Sequence, residues 1–183
     1  MASTTSKIVT YEEWLKMPET KTKEEVVDGE IITMPAPRWE HATIIEELHT
    51  TLNLQLDRKL YHVMSTVFGL VIRKDPLTCR EPDLAVFLRK NVVIQDGYIH
   101  SAPELAVEVL SPSNTRRDMI RKTEDYESIE VPELWILSPE GRTFEVLQLQ
   151  DGKLRRTQLL AEGQIRPLRF PEVVVDVASV WPD

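Results

Sequence analysis

Hydrophobic and polar positions change rhythm several times along the chain. Between about Arg38 and Lys59, His41, Ile45, Leu48 and Leu52 fall on one side at helical spacing, and Ile44, Leu56 and Leu60 widen the stripe. Glu46, Glu47, Asp57 and Arg58 lie mostly elsewhere, which predicts a long amphipathic helix resting on a sheet. From Tyr61 the texture becomes stranded. Val63–Ile72 is rich in β-branched and aromatic residues and ends at Asp75-Pro76, while Pro82–Leu88 and Glu104–Leu110 are short and mostly apolar. Further strands are expected at Leu134–Leu137, Thr143–Leu149, Leu154–Leu160 and Val173–Val177. Asp28-Gly29, Asp96-Gly97 and Asp151-Gly152 mark turns, because a tight hairpin needs positive φ at both central positions. Two more helices carry start signals. Thr10 with Glu13 opens Tyr11–Met17, closed by Pro18, and Thr115 with Asp118 opens Arg116–Ser128.

The strand, helix, strand order over Leu105–Leu137 implies a right-handed crossover and at least one parallel pair. The fold class is therefore mixed α/β (α+β), with a central mixed sheet, flanking helices and C-terminal β-hairpins. No Gly/Ser linker or internal repeat divides the 183 residues. One domain is expected from residue 10 to 183, after a flexible N-terminal stretch over residues 1–9.

Composition narrows the setting. Hydrophobic residues at 42% and charged residues at 28% are globular values. The single cysteine, Cys79, excludes a disulfide framework or a cysteine-rich zinc site. No apolar run approaches the ~20 residues of a membrane helix, so a cytoplasmic domain without a membrane partner is expected. With 22 Lys+Arg against 30 Asp+Glu the net charge is −8, which argues against coating nucleic acid by bulk charge but leaves room for a local site.

Leu105-Ala-Val-Glu-Val-Leu110 places Glu108 inside an otherwise apolar strand. A lone buried carboxylate is costly unless it is paired, hydrogen-bonded or on a metal; the plain alternative is an uncovered edge that meets water. Asp83 follows Pro82 at the mouth of the preceding strand, where it either belongs to an ordinary turn or converges with Glu108. Two converging carboxylates suit Mg²⁺ or Mn²⁺. On the next helix Asp118, Lys122 and Tyr126 are spaced i, i+4 and i+8, flanked by Arg121 and Asp125. That stripe is either a solvated face or, because the Ser111–Asn114 loop is short, a set of groups within reach of Glu108. No Gly-rich phosphate loop or nucleophile elbow supports a small-molecule hydrolase.

The Asp28-Gly29-Glu30 turn, His41 at the start of the long helix, Glu81-Pro82-Asp83 and Val107-Glu108-Val109-Leu110-Ser111-Pro112-Ser113 together resemble the Uma-two family, as do Asp118, Lys122, Tyr126 and Leu134-Trp135-Ile136-Leu137. That family has a restriction-endonuclease-like fold in the PD-(D/E)XK nuclease superfamily. The resemblance covers about Thr10 to Val180 and implies that Asp83 and Glu108 bind Mg²⁺ (or Mn²⁺) for hydrolysis of nucleic acid, DNA first. Leu110 stands where the superfamily's lysine is expected, and Lys122 would supply the missing ammonium by relocation. Tyr126 would then bond a phosphate or Glu108, or simply cap the core. His41 would be a neighbour of a ligand, a substrate contact, or a satisfied histidine at a helix start. Glu25 and Glu30 match acidic positions of the family, with Glu25 a candidate outer ligand. Arg116, Arg117 and Arg121 would meet phosphate or form a solvated cluster. A homodimer is expected from the family and from Trp135, Trp181 and the apolar C-terminal strand. The competing reading is a non-catalytic nucleic-acid- or protein-binding scaffold that keeps the fold.

Overall fold

The computed structural model describes residues 8–18, 20, 22–65, 68–112 and 115–182. The first elements are α1 (Tyr11–Trp14), β1 (Glu24–Val27), β2 (Glu30–Thr33), α2 (Trp39–Gln55), β3 (Tyr61–Met64), β4 (Leu70–Lys74) and β5 (Leu77–Arg80). They are followed by β6 (Leu84–Leu88), β7 (Ile94–Gln95), β8 (Tyr98–Ile99), β9 (Leu105–Val109), α3 (Arg116–Ser128) and β10 (Glu133–Ser138). The last are β11 (Thr143–Gln150), β12 (Lys153–Leu160), β13 (Gln164–Ile165), β14 (Val175–Asp176) and α4 (Val177–Val180). They form two compact units: Met1–Ala36, Val67–Glu81 and Val93–Ser101 make the first, and Pro37–Thr66, Pro82–Val92 and Ala102–Asp183 the second.

The first unit is a sheet in the order β2-β1-β5-β4-β8-β7. Asp28-Gly29 and Asp96-Gly97 turn its hairpins with φ of 52° and 82°, and of 53° and 84°, which is the left-handed pair such turns require. The sheet packs a small core of Tyr11, Val26, Val71, Leu77 and Cys79. Gly69 is a close-approach glycine, because a Cβ there would lie 2.6 Å from the Tyr98 ring and 3.0 Å from Cys79 Sγ. α1 has the expected capping box between Thr10 and Glu13 but ends at Trp14, short of Met17. Leu77–Arg80 is a strand that the sequence pattern does not announce. The expected single strand over Val63–Ile72 is instead β3 and β4, which belong to different sheets; residues 66 and 67 lie outside the described set.

The second unit carries the larger core around a sheet ordered β12-β11-β10-β9-β6-β3. β9 and β10 are parallel and are joined by α3, as the crossover pattern requires, and the other neighbours are antiparallel. α2 buries Ile44, Leu48 and Leu52 completely, and each contributes roughly 1.5–3 kcal/mol by leaving water. These side chains share one apolar cluster with Leu84, Val86, Leu105, Val107 and Val109. The stripe is narrower than the sequence suggested, since Leu56 is buried just past the helix end but Leu60 is 54% exposed.

Strand alternation turns Ala106 and Glu108 away from that cluster, toward α3. Helices on both faces explain why β9 reads as unbroken apolar sequence. The expected strand over Val173–Val177 shrinks to β14, because Asp176 caps a short helix from Val177 by accepting from the Ala178 amide. Trp135 is fully buried and Trp181 is 9% exposed, both in the core of one chain. Neither is therefore available as the interface residue that the homodimer expectation named.

Candidate functional site

The candidate site starts from the β6–β9 pair. Leu84 lies opposite Val107, so one more step of the antiparallel register sets Asp83 opposite Glu108 at the mouth of the sheet. Asp83 is pinned there from two sides. Its Oδ2 accepts the Val109 amide at 2.8 Å and lies 3.2 Å from His41 Nε2 at the start of α2. A carboxylate oxygen can only accept in this contact, which assigns the proton to Nε2. His41 Nδ1 is buried and has no hydrogen-bond partner among the described residues.

Glu108 is met from above by α3. Thr115 and Asp118 form the capping box that starts the helix where the sequence placed it, after a loop whose Ser113 and Asn114 lie outside the described residues. From that start, positions 122 and 126 share the face turned to β9. Lys122 Nζ donates to Glu108 Oε2 at 2.8 Å, and the Tyr126 hydroxyl donates to Oε1 at 2.5 Å. Lys122, Tyr126 and Glu108 are all buried. Tyr126 is thus both a core residue and a partner of Glu108. Removing one member of such a buried ion pair costs about 3–5 kcal/mol, because the other charge is left uncompensated.

The structure therefore brings Asp83, Glu108, Lys122, Tyr126 and His41 to one end of one sheet. Arg116 and Arg117 are exposed in the first turn of α3, and Arg121 is half-buried one turn on. Glu25 belongs to the first unit, where it is buried and accepts from Arg80 Nη1 at 2.8 Å and from the Glu81 amide at 3.4 Å. In the same unit burial pushes the Glu81 carboxyl up to about 7, with Glu25 adding to the effect and Lys23 opposing it. Glu30, the other acidic match, is exposed.

Sequence reasoning missed the Val109 amide as the anchor of Asp83, since a backbone donor leaves no trace in residue types. It also missed Glu133, a buried carboxylate that accepts from Trp135 Nε1 at 2.6 Å, Gln148 Nε2 at 3.0 Å and the Leu168 amide at 3.0 Å.

Among the described residues no three His, Cys, Asp or Glu side chains gather into a cation cage. A cation here would rest on the two carboxylates of Asp83 and Glu108. Their hard oxygens fit Mg²⁺ or Mn²⁺, which bind through one or two carboxylates and keep several waters.

This arrangement on a mixed sheet is that of a restriction-endonuclease-like domain. The Uma2 family, described as "Putative restriction endonuclease", matches residues 11–178, and the chain belongs to that family. Its fold is similar to the crystal structure of "a putative nuclease belonging to DUF820" from Anabaena variabilis. The TM-score is 0.78 at 20% identity, with 94% of this chain and 97% of that chain covered. None of the curated proteins matches the sequence. Among the described residues no helix is long and apolar enough to cross a membrane.

Proposed function

We propose that this chain is a metal-dependent endonuclease that hydrolyses phosphodiester bonds of nucleic acid, with DNA as the first substrate to test and the cytoplasm as its setting. The observation that carries the reading is the placement of two acids and one amine at one end of the β6–β9 pair: Asp83 beside the Val109 amide, and Glu108 bonded to Lys122. Asp83 and Glu108 would hold Mg²⁺ or Mn²⁺, which when bound polarises a phosphoryl oxygen and lowers the pKa of a water.

The chain's own residues do the rest. His41 and the Val109 amide fix the Asp83 carboxylate in one rotamer, and Tyr126 does the same for Glu108. Lys122 supplies the ammonium that orients the attacking water or neutralises charge developing on the phosphate. Arg116, Arg117 and Arg121 face the substrate backbone from the N-terminal half of α3, where exposed helix amides also favour anions. The net charge of −8 favours the second reading, a scaffold that keeps the fold without cleaving.

Incubation of supercoiled plasmid, single-stranded DNA and structured RNA with Mn²⁺ separates the two. Cleavage of DNA that falls by about a hundredfold or more in both Asp83→Asn and Glu108→Gln supports the enzyme. His41→Gln, which keeps a donor toward Asp83, should retain cation binding, whereas His41→Leu should weaken it by about tenfold or more. Nucleic-acid binding without cleavage under every cation supports the scaffold.

A further inference from the structure

Lys122 and Tyr126 use the two oxygens of Glu108 differently. The phenol is a neutral donor to Oε1, and the ammonium is a full positive charge 2.8 Å from Oε2. The Lys122 and Glu108 side chains are only 5% and 4% exposed, so water screens this pair weakly. A divalent cation on the same carboxylate would place a second positive charge within a few ångströms of the ammonium. Like charges crowded on one buried carboxylate repel, and the lysine's flexible stem lets its head leave while the tyrosine stays.

We propose that Lys122 is the resident counter-ion of Glu108, and that a divalent cation displaces its ammonium, releasing the amine toward the substrate phosphate only after the cation is bound. This inference rests on the two-carboxylate site proposed above. It makes loading ordered, because the cation must arrive before the amine is available. It also makes the amine a competitor of the cation rather than a helper in binding it. The exchange involves no proton transfer, since the ammonium stays charged and changes partner from carboxylate to phosphate.

Two measurements on the full chain test it without reading activity. Calorimetry and the electron paramagnetic resonance signal of free Mn²⁺ give cation affinity for the native protein, Lys122→Met and Asp83→Asn. The expected result is Mn²⁺ bound about tenfold tighter or more in Lys122→Met and not at all in Asp83→Asn. Pulsed reductive methylation of lysine amines, read by mass spectrometry, follows the native side chain even where Lys122→Met does not fold. Labelling of Lys122 should rise several-fold with saturating Mn²⁺. In Glu108→Gln it should be high with or without the cation. Equal Mn²⁺ affinity in native protein and Lys122→Met, or Lys122 labelling indifferent to Mn²⁺, overturns the exchange. With binding still lost in Asp83→Asn, that result leaves the two-carboxylate site standing. Mn²⁺ binding unaffected by Asp83→Asn, or absent from both native protein and Lys122→Met, overturns the site and the exchange together.

Discussion

Among the buried carboxylates of the described residues, Glu25, Glu108 and Glu133 are stabilised in three different ways. Glu25 faces the guanidinium of Arg80, Glu108 shares an ammonium and a phenol, and Glu133 takes three neutral donors. Glu133 therefore gains hydrogen bonds without a counter-charge among the described residues, and burial raises its pKa above the ordinary carboxylate value despite those donors. The sign follows from proton counts. Between the ordinary value and the raised one, the folded state binds the proton more tightly than the unfolded chain, so stability falls as pH rises through that window and levels off above it. Urea midpoints of native protein and Glu133→Gln, measured from about pH 4 to 8, should show this fall in the native protein and a flatter profile in the variant. Cys79 is affected in the same way, since burial drives its thiol far above the ordinary range and leaves it a packing residue.

At the scale of elements, α3 is the part on which the candidate site depends most, and its start is set by one hydroxyl. Thr115 Oγ1 accepts from the Asp118 amide, and Asp118 Oδ2 accepts in return from the Thr115 amide. Thr115→Ala should cost about 1 kcal/mol in a denaturant titration and, by fraying the first turn, loosen Arg116 and Arg117 before Lys122. This helix and its cap were legible in the sequence because both rest on local signals, a capping box and a polar stripe. The Asp-Gly turns were legible for the same reason, each needing left-handed backbone at two successive positions. What failed were features decided by distant partners. Ser65-Thr66 and Gly69 interrupt Val63–Ile72 too weakly to fix a break, yet Val63 pairs with Val86 in one sheet and Val71 with Cys79 in another. β5 follows Asp75-Pro76 directly and is only four residues long, too short for a period to show. The gathering of Asp83 with Glu108 was inferable from sequential strands, but the antiparallel register and the Val109 amide that fix it belong to the folded chain alone.

For the whole molecule, the balance of charge sets how nucleic acid can be held. A body of net charge −8 repels a polyanion, so under the proposed function contact would be confined to a local positive patch, for which the first turns of α3 are the candidate. If three arginines each meet one phosphate, the logarithm of affinity should fall with the logarithm of salt at a slope of about −2.7 for duplex DNA. Arg116→Ala and Arg117→Ala should each reduce that slope by about 1 in fluorescence-anisotropy titrations with a catalytically silent variant. The crossover from β9 through α3 to β10 has a consequence at this scale too. Glu108, Lys122 and Tyr126 travel together on one short stretch of chain, whereas Asp83 stands just outside the first rung of β6. On the proposed function, exchange of that one aspartate would silence a descendant while β9, α3 and β10 stayed in place, and inheritance of the shape would then be separable from inheritance of the chemistry.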